Sequence, residues 1–209
     1  MLELFGKKIP LSPGARILLL APGPGAAFLV AALRGEKAAF NWTLLDSATE
    51  RLNVVKNALA GNARRVAGSA TRLPFKRHAF DAVISFEALV AVRPPWTVLA
   101  EFHRVLAPDG TLILFEPQSL GFFSALRDKI SGPGKRVFPL SEIKSRLARG
   151  DYTVDAIDEF NAINGLKRPS YCIRAIKRDN PVEPVPQFLT AKEMIERRKK
   201  NIPKGEELP

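Results

Sequence analysis

Three stretches of this chain place groups capable of chemistry directly after apolar runs. Arg16-Ile17-Leu18-Leu19-Leu20-Ala21 is followed by Pro22-Gly23-Pro24-Gly25, the run Phe40 to Leu45 by Asp46 and Ser47, and Asp81-Ala82-Val83-Ile84-Ser85-Phe86 by Glu87. Glycines after a strand let a ligand approach the backbone closely. A carboxylate after the next strand can accept hydrogen bonds from both ribose hydroxyls of a nucleoside. Glu87, directly after the third run, is a candidate base for a reaction at a hydroxyl or an amine. Each group also has a plainer use. Two glycines can form a bare tight turn, Asp46 can favour a helix start through the dipole, and Glu87 can be a solvated helix-start glutamate.

The elements that must position these groups follow from the hydrophobic pattern. The first run is continuous and bounded by Pro13-Gly14 and Pro22-Gly23, which suits a strand buried on both faces. Ala26 to Leu33, apolar all round, reads as a helix packed on such a sheet. Ser47-Ala48-Thr49-Glu50 reads as a capping box, with Leu52, Val55 and Leu59 at helical spacing and a stop at Gly61. Asn62 to Gly68 supplies a short third strand and Asp81 to Phe86 a fourth. Pro94-Pro95 opens a helix with Leu99, Phe102 and Leu106 facing inward, and Pro108-Asp109-Gly110 turns the chain into Thr111 to Phe115. This alternation predicts an α/β, doubly wound, mostly parallel sheet with right-handed crossovers. Beyond residue 117 helices are expected at Leu120 to Ile130 and Leu140 to Leu147. Strands are expected at Tyr152 to Phe160 and Tyr171 to Lys177, joined by a loop too short for a crossover helix and therefore antiparallel.

With 209 residues and 46% hydrophobic content, the chain can bury one substantial core. We expect a domain over residues 1–178 and an appendage over 179–209, a proline-rich linker leading to a short basic helix that opens at Thr190-Ala191-Lys192-Glu193. No stretch reaches the roughly 20 apolar residues that span a bilayer, and no secretory signal pattern opens the chain, so a soluble, cytoplasmic protein is expected. The single Cys172 excludes an internal disulfide and has no companions at metal-ligand spacing. It is expected in the core. His103 reads as structural, His78 as a surface-loop residue, and no metal site is expected. The formal net charge of +11 is spread along the chain, with one dense cluster at Arg197-Arg198-Lys199-Lys200, and describes a field that attracts polyanions.

The block Gly68-Ser69-Ala70-Thr71-Arg72-Leu73-Pro74-Phe75, followed by Phe80 to Phe86, resembles the class I S-adenosylmethionine-dependent methyltransferases of the small-molecule type. So does Leu99-Ala100-Glu101-Phe102-His103-Arg104-Val105-Leu106-Ala107-Pro108-Asp109-Gly110-Thr111-Leu112-Ile113-Leu114-Phe115-Glu116-Pro117. The resemblance covers about residues 15–117. It implies a seven-stranded Rossmann-like sheet whose last pair is antiparallel, and S-adenosylmethionine as cofactor. The turn of Ala21, Gly23 and Gly25 would then face the methionine part, and Asp46 with Ser47 the ribose. Ser69 and Ala70 would lie beside the adenine, and Phe86 would border the methyl-transfer chamber.

The cofactor loop departs from the family pattern. An acidic residue is usual where this chain has Leu19, a glycine where it has Ala21 and an aspartate where it has Ser69. Pro22 and Pro24 remove backbone N–H donors. Each lost charge-assisted contact weakens binding by about 1.5–3 kcal/mol. The leading reading is a methyltransferase acting on an unidentified acceptor, since residues 118–150 carry no diagnostic motif. Its alternative is an inactive methyltransferase-like scaffold that docks on a protein or nucleic-acid complex through its basic surface and tail. A nicotinamide-dependent reductase is disfavoured, because Phe28 occupies the third position of a Gly-x-Gly-x-x-Gly pattern begun at Gly23.

Overall fold

Arg16–Leu20 forms a strand, β3, in which Ile17, Leu18, Leu19 and Leu20 are all wholly buried. Such a strand needs partners on both edges and apolar layers on both faces. The computed structural model describes residues 2–4, 7–9, 11–20, 40–48, 50, 52, 63–92, 94–118, 137–160 and 170–178. All of them lie in the first of two compact units, Met1–Asp179.

Two short strands, β1 (Leu2–Leu4) and β2 (Lys7–Ile9), pair antiparallel with each other. The main sheet holds β3 together with β4 (Asn41–Asp46), β5 (Arg64–Ala67), β6 (Phe80–Phe86), β7 (Leu106–Pro117), β8 (Tyr152–Phe160) and β9 (Ser170–Lys177). Its order is β5-β4-β3-β6-β7-β9-β8. The first five strands are parallel, whereas β9 runs antiparallel to both β7 and β8. This is the seven-stranded, doubly wound sheet with an antiparallel final pair that the pattern implied.

Strand alternation divides the core into two layers. Ile17, Leu19, Leu44, Ile84, Phe86, Ile113, Phe115 and Cys172 share one face. Leu18, Leu20, Leu45, Val83, Leu112, Leu114 and Ile173 share the other. Onto this second face pack Leu89 of the short helix α1 (Ala88–Ala91), Val98, Leu99, Phe102 and Val105 of α2 (Trp96–Val105), and Ile143 and Leu147 of α3 (Leu140–Arg149). Glu142 in the first turn of α3 and Arg146 and Arg149 in its last complement the helix dipole. The Arg146 guanidinium also lies 4.7 Å from the Trp96 ring centre, and Trp96 packs 4.8 Å from Phe138.

Two expectations are corrected. Leu106 is buried, but it opens β7 and is not the last position of the helical stripe. Its backbone has turned extended, with ψ 137°, while its amide still donates to the Phe102 carbonyl. The turn at Pro108-Asp109-Gly110 is a bulge inside β7. Phe80 pairs with Leu106 and Ala82 with Thr111, so five steps of β7 oppose two of β6. Asp109 takes φ 55°, and a Cβ on Gly110 would meet the Ala107 carbonyl oxygen at 2.8 Å, which only glycine avoids. The expected helices at 26–33 and 120–130, most of the helix after Asp46, and the linker and basic helix of 179–209 lie outside the described residues.

His103, on α2, meets the Tyr152 ring edge-on at 5.5 Å, and among the described residues neither its Nε2 nor the Tyr152 hydroxyl has a hydrogen-bond partner. Burial, followed by the positive charge of Lys177, holds the imidazole below its ordinary pKa. The charges of His78 and Arg77 act in the same direction and Asp151 opposes them. The unfolded chain therefore binds the proton more readily than the folded one. Stability should be fully present above about pH 6.5 and fall as the pH drops below it toward the depressed folded value. Thermal melts between pH 8 and 5 should show this loss, and His103→Phe should flatten it. An unchanged pH slope in the variant would refute the assignment.

Candidate functional site

The order of strands reverses beside β3, with β4 and β5 on one side and β6 and β7 on the other. Ligands of open α/β sheets bind outside the carboxyl ends of the strands at such a switch point. The register aligns those ends, because Leu20 pairs with both Leu45 and Ser85, and Ser85 pairs with Leu114.

Asp46 closes β4 and is only 3% exposed. Its Oδ1 accepts the Ala48 amide at 2.9 Å and the Ser47 hydroxyl at 3.4 Å. Its backbone carbonyl accepts the Gly68 amide at 3.1 Å, which ties the segment after β5 to the end of β4. That segment then makes a tight turn. The Arg72 amide donates to the Ser69 carbonyl at 3.2 Å, and Ser69 Oγ accepts the Thr71 amide at 3.2 Å while lying 2.8 Å from Thr71 Oγ1. Ser69 thus shapes its own turn.

On the other side of β3, Phe86 ends β6 and stacks on Phe115, with ring centres 4.5 Å apart and planes 5° from parallel. Glu87 follows with a left-handed backbone, φ 54°, and caps α1. Its amide donates to the Phe115 carbonyl at 2.7 Å, and the Leu89 amide donates to Glu116 Oε1 at 3.1 Å. Glu116, 2% exposed at the end of β7, therefore holds the first turn of α1. Its charge and the burial of Tyr171 raise the pKa of that phenol, burial acting more strongly.

Known proteins show what this arrangement is similar to. Residues 19–114 match the family model described as a methyltransferase domain. In these residues the chain is similar to the class I methyltransferases. A demethylmenaquinone methyltransferase of Renibacterium salmoninarum is 36% identical over 109 residues, covering 50% of this chain and 42% of that enzyme. The match thus spans less than half of the relative's length. Among solved structures, an S-adenosylmethionine-dependent methyltransferase of Methanosarcina mazei aligns with a TM-score of 0.63 at 18% identity, covering 80% of this chain and 94% of the other. The 1,6-didemethyltoxoflavin-N1-methyltransferase of Burkholderia thailandensis, solved with its substrate and S-adenosylhomocysteine, aligns with a TM-score of 0.59 at 19% identity, covering 80% and 72%. At such identities these likenesses establish the fold.

Within this methyltransferase domain, Asp46 and Ser47 stand beside Ser69 and Ala70 through the bond from the Gly68 amide. Phe86 and Glu87 lie two strands away, about 10 Å at ordinary strand spacing. Ala21, Gly23 and Gly25 fall outside the described residues. Two features escaped the sequence reading. One is the role of Glu116 in holding α1. The other is Ser85, wholly buried, whose hydroxyl has no hydrogen-bond partner among the described residues. Neither produces a pattern, since each sits inside an otherwise apolar strand. No described helix is long and apolar enough to cross a membrane.

An unsatisfied buried hydroxyl costs about 1–3 kcal/mol. Ser85→Ala should accordingly leave the methyltransferase domain as stable or more stable, seen as an unchanged or higher denaturation midpoint at constant slope. A clear loss of stability would show that the hydroxyl is partnered in solution.

Proposed function

We propose that this protein transfers a methyl group from S-adenosylmethionine to an acceptor held at the carboxyl ends of β3, β4 and β6. The observation that carries the proposal is the buried carboxylate of Asp46, set at the end of β4 beside the strand-order switch of a methyltransferase domain. In this reading Asp46, with Ser47, takes the ribose hydroxyls. Ser69 and Ala70 flank the adenine, the loop of Ala21, Gly23 and Gly25 faces the methionine part, and Phe86 borders the reaction chamber. The residues present fit the ribose end of such a cofactor, because a carboxylate offers two oxygens and prefers hydroxyl donors where water is excluded.

S-adenosylmethionine brings an activated methyl group when bound. The chain's task is to hold acceptor and methyl donor in line and to exclude water, and positioning alone supplies much of the rate. Glu87, directly after β6, is the candidate base for a hydroxyl or amine acceptor. Its left-handed backbone, at a cost on the order of 1–3 kcal/mol, is held by the bond from its amide to Phe115. The methyltransferase family model and the demethylmenaquinone methyltransferase relative support methyl transfer as the class of reaction, while the acceptor of this chain stays unnamed. Leu19, where the family usually carries an acid, lies in the core between Leu44 and Ile84 and offers the ligand no charge.

Calorimetric titration with S-adenosylhomocysteine should show saturable binding, with Kd of about 10 µM or weaker. Asp46→Ala should weaken it from tenfold to more than a hundredfold. Absence of heat and of any thermal shift at millimolar ligand would overturn the cofactor reading. Unchanged affinity in the variant would overturn the ribose assignment.

A further inference from the structure

The segment that follows the turn at Ser69 is held by side chains from a helix, and not by its own backbone partners. Glu101 and Arg104, at i and i+3 on α2, form a two-bond ion pair. Nε and Nη2 of Arg104 donate to Oε1 and Oε2 of Glu101, each at 2.7 Å. The same pair grips residues 73–75. Glu101 Oε2 accepts the Leu73 amide at 2.7 Å, Arg104 Nη2 donates to the Leu73 carbonyl at 2.9 Å, and Arg104 Nη1 donates to the Phe75 carbonyl at 2.7 Å. Each group stabilises the other's charge, chiefly through the hydrogen bond between them, so the carboxyl sits below its usual pKa and the guanidinium above. At the other end, the Gly68 amide is bound to Asp46. Residues 68–75 are therefore stretched between a strand end and a helix.

We infer that Glu101 and Arg104 are positioning residues for the adenine side of the cofactor site, acting through the backbone of residues 73–75 on the turn at Ser69 and Ala70. The inference rests on the cofactor reading above. Neither residue has to touch the ligand. A surface ion pair alone would contribute little, but three further bonds to main-chain groups convert this pair into a brace whose planar fork fixes two carbonyls at once. Lysine could supply the charge but not that geometry.

The test measures S-adenosylhomocysteine affinity by calorimetry and amide hydrogen exchange across residues 69–75 in the full chain. Arg104→Ala and Glu101→Ala should each weaken binding by about tenfold and accelerate exchange in residues 69–75, while the amides of β3 and β6 keep wild-type protection. Glu101→Gln, which retains an acceptor for the Leu73 amide, should recover part of the affinity lost in Glu101→Ala. Arg104→Lys should fall between wild type and Arg104→Ala, and it stands in if the alanine variant does not fold. Faster exchange with wild-type affinity would overturn the positioning role, as would unchanged exchange, or loss of protection in β3 and β6 in step with residues 69–75. Failure of the cofactor reading is recognised separately, because then the wild-type chain itself gives no binding, and the positioning role falls with it.

Discussion

The full burial of β3 is the constraint on which the other features of this domain depend. A strand flanked on both edges and covered on both faces excludes charged side chains from its interior positions, because a carboxylate or ammonium placed there would be desolvated without a partner. Polar chemistry is thereby confined to the strand ends. Asp46 ends β4, Glu87 follows β6, and Glu116 lies one residue from the end of β7. The reversal of strand order at β3 aligns these ends along one edge of the sheet, the position at which open α/β sheets bind ligands.

Backbone satisfaction accounts for the next level of organisation. A chain leaving a buried strand carries amides and carbonyls that lose their ladder partners and must find others. The Gly68 amide uses the Asp46 carbonyl, the Glu87 amide the Phe115 carbonyl, and the Leu89 amide the Glu116 carboxylate. The carbonyls of Leu73 and Phe75 use Arg104. Each bond also fixes a segment at the site edge, so the same contacts that satisfy the fold position the groups available for chemistry.

The chain shares the methyltransferase architecture while altering part of the equipment that usually accompanies it. The blocks at residues 68–86 and 99–117 are held by strand burial, the β7 bulge and the Glu101–Arg104 pair. The position of Leu19 is different. Packed wholly inside the core, it strengthens the sheet and contributes nothing charged to a ligand. Fold and ligand chemistry rest on different residues here, and one can be altered while the other is kept.

Much of this was legible in the residues themselves. Continuous apolar runs ending at Ala21, Leu45 and Phe86 announce strands buried on two faces, and their alternation with helical periods announces a parallel sheet, because burial is written directly into side-chain polarity. The short β1 and β2 were missed, since three-residue strands have no period to read. Leu106 was assigned to the helix because a leucine is equally apolar at the last turn of a helix or the first position of a strand, and only its partner Phe80 distinguishes them. Glu101 and Arg104 are visible as an i, i+3 pair, but their grip on Leu73 and Phe75 spans about thirty residues of chain and exists only once the helix lies beside that segment. Local pattern decided what each residue could become. Tertiary structure decided which groups met, because hydrogen bonds between distant segments depend on distance and angle, which a linear order of residues does not contain.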